Sequence, residues 1–153
     1  MKAITALFAL AGLLVLSTQV RADISPKQNE ILEDLIAHYA GKAKEEAKNK
    51  ARNPDSGRPF TSEAGREFYL KQRSQQLTDV SCSACHTDNP VNQGKHVLTN
   101  KPIKPLAPSV NPERFIDAKK VQNNFTEHCF DLYQADCRAY EKGIFLTYLR
   151  SAK

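Results

Sequence analysis

The chain has 153 residues, with 22 lysines and arginines against 17 acidic residues and a formal net charge of +5. That length fits one domain with one core. A charge so small, without an arginine-rich run, gives no case for nucleic acid, and a modestly basic surface serves solubility or docking to an acidic partner.

The first 22 residues, MKAITALFALAGLLVLSTQVRA, set Lys2 before an uncharged apolar run from Ala3 to Leu16 and close on Val20 and Ala22. This is the pattern of a signal peptide over residues 1–22. Ser17, Thr18 and Gln19 end the run short of the roughly 20 residues that cross a bilayer, so no membrane span is expected after cleavage. Losing Lys2 and Arg21 takes the 22 basic residues to 20 against 17 acidic ones, a net charge of about +3. The remainder is expected to be exported, soluble and periplasmic. It carries all four cysteines, and an oxidising compartment normally consumes exported thiols.

A helix is predicted from Ser25-Pro26-Lys27-Gln28, a capping box with proline at the first helical position, followed by the apolar stripe Ile31, Leu32, Leu35, Ile36 and Tyr39. Beyond Gly41 the stripe dissolves into KAKEEAKNKARNPDSGRP, a solvated charged helix ending in a turn or linker. Residues 23–59 therefore read as an amino-terminal helix with a charged linker, and residues 60–153 as the main domain. A second helix is expected from Thr61 or Ser62 through EAGREFYLKQRSQQL, with Phe68, Tyr69 and Leu77 facing inward. Five of the eight prolines fall between Asn89 and Pro112 and exclude a long helix or central strand there. Val97, Leu98, Ile103, Leu106 and Val110 make this stretch an ordered loop. Helical spacing returns with Phe115, Val121 and Phe125, and again from about Asp136 to Arg150 with Tyr140, Ile144, Tyr148 and Leu149. The expectation is an all-α fold of four to five helices, with no sheet.

The chemistry sits in Cys82-Ser83-Ala84-Cys85-His86. Two thiols three residues apart can form thioethers to the two vinyl groups of one haem, and the adjacent histidine then lies under the iron as its proximal ligand. A thioredoxin-like dithiol would need a βαβ pattern, and a zinc site a second ligand pair; neither is present. Haem c is the expected cofactor. For the sixth position of the iron methionine is excluded, because the single methionine, Met1, belongs to the signal peptide. His38, His96, His128, Asn123, Asn124 or nothing at all remain. His128 follows Val121 and Phe125 at helical spacing, on what reads as the same buried face, and is the best placed. Lys95, Lys101, Lys104 and Arg114 are the candidates for haem propionates. Cys129 and Cys137 stand outside the haem motif and are expected to form a disulfide.

With these motifs in place the sequence resembles the bacterial family that includes cytochrome c double-prime and the sphaeroides haem protein. The resemblance runs through CSACHTDNPVNQGKHVLTNKPIKPLAPSVNPERF and VQNNFTEHCFDLYQADC, about the last hundred residues. It implies a class I cytochrome c fold in which Cys82, Cys85 and His86 bind haem and Cys129 pairs with Cys137. In cytochrome c double-prime the residue at the His128 position is a distal ligand that leaves the iron on reduction; in the sphaeroides protein an asparagine takes that part.

The expected function is electron transfer by a periplasmic monohaem cytochrome that is not an enzyme, with a redox protein, such as another cytochrome, as partner. Its ferric iron would carry His86 and His128, and reduction would release His128 and take up a proton. Two alternatives stand beside it: binding or sensing of oxygen or nitric oxide by the ferrous haem, and a subunit role in a larger redox complex through the charged amino-terminal segment.

Overall fold

The computed structural model describes residues 23–48, 55, 57–75 and 78–153. The expected signal peptide, Leu77 and most of the expected linker lie outside these residues.

Ser25 begins helix α1, Pro26–Ala47, as the capping box requires: its hydroxyl accepts from the Gln28 N–H at 3.3 Å, and the Gln28 side chain accepts from the Ser25 N–H at 3.1 Å. Leu32, Leu35, Tyr39 and Ala43 form the buried stripe. The charged continuation stays helical to Ala47 because its lysines and glutamates are good helix formers that face solvent. Thr61 caps α2, Ser62–Leu70, through a 3.1 Å bond from the Ala64 N–H. The last long helices are α4, Ala118–Tyr133, capped by Asp117, and α5, Ala139–Ser151.

α5 is the centre of the molecule, with α1 and α2 packed along it. Leu32, Leu35, Tyr39, Phe68, Tyr69, Ile144, Leu146, Tyr148 and Leu149 share one core, so α1 contributes to the same interior as the rest of the chain. At the α2–α5 crossing Gly65 meets the backbone of α5 directly: a methyl group there would overlap the Ile144 carbonyl oxygen and the Cβ of Tyr148.

α4 does not pack along another helix. It leans on the core through Val121, Phe125, Cys129 and Tyr133, with the Phe125 ring 5.5 Å from Phe145 and 5.9 Å from Tyr39. Its end is fastened twice. Cys129 is bonded to Cys137, and the buried Lys142 of α5 reaches Asp136 at 2.8 Å while its ammonium lies 5.8 Å above both the Tyr39 and Phe125 rings.

The helical expectation holds, whereas the absence of sheet does not. Strands β1, Arg73–Gln75, and β2, Thr78–Val80, pair antiparallel with Arg73 opposite Val80; β3, Gly94–Lys95, and β4, Pro102–Ile103, pair with Gly94 opposite Ile103. α2 therefore ends at Leu70 instead of running to Leu77. From Lys71 to Gln76 every residue is polar, so a longer helix would bury nothing, and Lys71 already turns to extended backbone. No helix among the described residues is long and apolar enough to cross a membrane.

Candidate haem site

Ser81 starts the site. Its hydroxyl accepts from the Ala84 N–H at 3.2 Å and caps a single helical turn, α3, Cys82–His86. One turn brings residues three apart to the same side, so the half-buried Cys82 and Cys85 present their sulfurs together, neither of them in a disulfide. The Cys82 Sγ lies 3.8 Å from the Tyr133 hydroxyl of α4.

His86 closes the turn. Its Nδ1 is buried with no hydrogen-bond partner. Burial first, then the charges of Arg114 and His128, push its pKa down to about 4. The ring is thus neutral at ordinary pH, the form in which imidazole binds a metal.

Two neighbours fix α3 in place. The fully buried Tyr69 donates its hydroxyl to the His86 carbonyl at 3.0 Å and shares it with the Thr87 carbonyl. Thr87 itself has φ 61° and ψ 167°, a conformation open essentially to glycine, and such strain persists only where the surroundings enforce it. From the other side β3 lies against the backbone of α3, where a Cβ on Gly94 would overlap the Cys85 carbonyl oxygen. Only glycine permits that approach.

The other histidines separate clearly. His38 is exposed on α1 with its ring edge-on to Tyr39. His96 uses Nδ1 to accept from the Leu98 and Thr99 N–H groups at 3.3 and 3.2 Å, capping its own turn. His128, alone of the three, acts electrostatically on His86. Its Nδ1 lies 2.9 Å from the Asn124 carbonyl oxygen one turn earlier. A carbonyl can only accept, so Nδ1 carries the proton and Nε2 keeps its lone pair.

The buried face expected for His128 is only partly found. Val121, Asn124 and Phe125 are half-buried, while Asn123 and His128 are exposed. Lys95 and Lys101 are exposed, Lys104 pairs with Glu113 at 2.6 Å, and Arg114 is half-buried.

This donor set suits a covalently attached porphyrin: two thiols on one turn, a neutral imidazole with an orphaned buried nitrogen beside them, and a glycine where the backbone must come close. Among the described residues no group of three or more His, Cys, Asp or Glu could hold a bare metal ion, so a zinc site lacks its second ligand pair.

Comparison with known proteins agrees. A family profile described as a domain of unknown function, DUF1924, matches residues 55–149. Cytochrome c'' of Methylophilus methylotrophus is 42% identical over 97 residues, 63% of this chain and 67% of that protein. The chain belongs to this cytochrome c'' family. A second relative, the cytochrome c-type protein SHP of Cereibacter sphaeroides, is 29% identical over 143 residues, 93% of this chain and 95% of that protein. The solved structure of oxidized cytochrome c'' from M. methylotrophus aligns with TM-score 0.67 at 35% identity, covering 81% of this chain and 96% of that one. Oxidized SHP, described as an oxygen binding cytochrome c, aligns with TM-score 0.63 at 30% identity, covering 84% and 97%. As a cytochrome c'' relative the protein is a monohaem cytochrome whose cofactor is one covalently held haem c.

The sequence does not reveal two residues that build this site: Tyr69 is legible as inward-facing, but not that its hydroxyl serves α3, and Gly94 carries no local sign of its contact with Cys85.

Proposed function

We propose that the protein is a periplasmic electron-transfer cytochrome, exported by residues 1–22, in which Cys82 and Cys85 form the thioethers, His86 is the proximal ligand and His128 the distal ligand of the ferric state. The haem supplies a one-electron couple. His86 holds the iron from a strained turn, and Tyr69 keeps that turn from moving as charge changes.

The observation that carries the distal assignment is the His128 to Asn124 bond, which sets the tautomer with Nε2 unprotonated. His128, held through Nδ1 at the Asn124 carbonyl, would bind a ferric haem iron through Nε2 and would give up that bond more readily to an iron of lower charge. Release would leave the Nε2 lone pair open to a proton. In this reading the protein does no substrate chemistry; it exchanges an electron with a redox protein and couples that exchange to a proton.

Absorption and paramagnetic resonance spectra of the native protein and His128→Ala test this. The native protein is expected to be low-spin when oxidised and high-spin when reduced, and the variant high-spin in both states. A ferric His128→Ala protein that stays low-spin moves the ligand to His96 or His38. A reduced native protein that stays six-coordinate at neutral pH removes the switch. For the export signal, amino-terminal sequencing of the periplasmic protein should begin at Asp23.

A second reading, binding of a small gas by the ferrous haem, is favoured by one observation: the relative SHP is described as oxygen binding. Fast, tight oxygen or nitric oxide binding, with slow electron exchange with cytochromes, would make it the main one.

A further inference from the structure

Arg114 is a half-buried cation with no ion pair among the described residues, its neighbour Glu113 acting on it through charge alone. Its Nε and Nη2 each donate at 3.3 Å, to the carbonyls of Pro105 and Lys104, which are neutral acceptors. The nearest carboxylate in sequence, Glu113, is bonded to Lys104. No carboxylate among the described residues pairs with Arg114. A guanidinium taken from water without a counter-charge is costly, and a fork of five N–H groups with two in use leaves the rest to offer.

The fold nevertheless spends considerable structure on holding it. Gln28 of α1, 2% exposed, donates its amide to the Arg114 carbonyl at 2.9 Å and to the Asn111 carbonyl at 3.1 Å. Asn111, also buried, donates to the Pro105 carbonyl at 2.7 Å and accepts from the Glu113 N–H at 3.1 Å. Phe115, the next residue, is buried with φ 56°, a left-handed backbone that a bulky residue adopts only under constraint. Residues 83 or more positions apart thus converge on one loop. That loop is tied to the haem turn: Arg114 bonds the carbonyls of Lys104 and Pro105, directly after β4, β4 pairs with β3, and Gly94 of β3 lies on the Cys85 carbonyl.

We propose that Arg114 receives a carboxylate of the haem propionates, and that Gln28, from the amino-terminal helix, is the positioning residue that sets it there. The proposal rests on the haem being held at His86. Guanidinium and carboxylate match as a two-pronged, charge-assisted pair, which a lysine cannot reproduce. Lys95 and Lys101 lie in solvent and Lys104 is already paired, so the three lysines weighed from sequence do not compete.

The test uses the holoprotein and three variants, Arg114→Gln, Arg114→Lys and Gln28→Leu, each checked for covalent haem by its alkaline pyridine spectrum. Potentials come from spectroelectrochemistry, and the propionate bending band from resonance Raman scattering. Removing the cation leaves a bare carboxylate that favours ferric iron. Arg114→Gln should therefore raise the ferric to ferrous ratio about tenfold at a fixed electrode potential and move the propionate band. Arg114→Lys should give a smaller change, and Gln28→Leu a shift in the same direction as Arg114→Gln. Should Arg114→Gln fail to fold, the other two variants decide by the same readings. Native potential and native Raman band in the variants, with only lower stability, would make Arg114 a loop brace and overturn the proposal alone. A native protein without covalent haem would overturn the haem assignment as well.

Discussion

The Tyr69 hydroxyl lies 3.0 Å from the carbonyl oxygen of His86, so the second helix of the fold holds the residue on which the haem site depends. The same hydroxyl also serves the Thr87 carbonyl, at a residue whose backbone is strained. Tyr69→Phe leaves both carbonyls without this donor inside the protein. Urea unfolding of the holoprotein should show a loss of about 1–3 kcal/mol, with the thioethers intact and the haem retained.

The Cys129 to Cys137 bond closes a loop across eight positions of sequence. Replacing both cysteines by serine should cost about 2–4 kcal/mol, read from the same unfolding curves. Because His128 directly precedes Cys129, the variant should also show a larger high-spin share in its ferric resonance spectrum. A spectrum identical to the native one would mean that the bond steadies the helix end without bearing on the iron.

Four of the five tyrosines have their phenols held above the ordinary value of 10 by burial: Tyr39 at about 12, and Tyr69, Tyr140 and Tyr148 also raised. The folded state keeps these protons where the unfolded chain gives them up. Stability is therefore fully present below pH 10 and is lost as pH rises from 10 towards 12 and beyond. An absorbance titration should find phenolate appearing late and together with the loss of helical circular dichroism; independent, gradual ionisation near pH 10 would contradict the burial of these rings.

Much of the fold is legible in the chain because local and tertiary preferences agree there. Ser25-Pro26-Lys27-Gln28 starts α1, and the stripe from Leu32 to Tyr39 is the one buried. The β1–β2 hairpin was not legible: its strands are three residues each, drawn from RSQQLTDV, with no glycine or proline to mark a turn. The polar run that ends α2 reads equally well as an exposed helix surface, and only the lack of anything to bury decides between them.

The same division runs through the site. Cys82, Cys85 and His86 announce themselves by spacing, since one helical turn carries the whole chemistry. Gln28 does not, because its local duty in a capping box conceals a second one 86 residues away at Arg114. Nor does Arg114 stand out among three nearby lysines until the fold shows which of the four is taken out of solvent and which are not. Helical phase singles out His128 but not its exposure, because phase gives the direction of a side chain and not what lies opposite.

The fastening of α4 has a consequence for speed. Phe130 and Gln134 close the helix with a left-handed turn at φ 54°, the disulfide follows, and Lys142 grips Asp136 beyond it, so the backbone beneath His128 is fixed. A histidine that exchanges places at the iron from such a base need only rotate its side chain, an event of picoseconds to nanoseconds, whereas displacing a helix takes microseconds to milliseconds. If His128 leaves the iron as proposed, the ligand would change without waiting for the fold, and the breaking bond would set the response to an arriving electron.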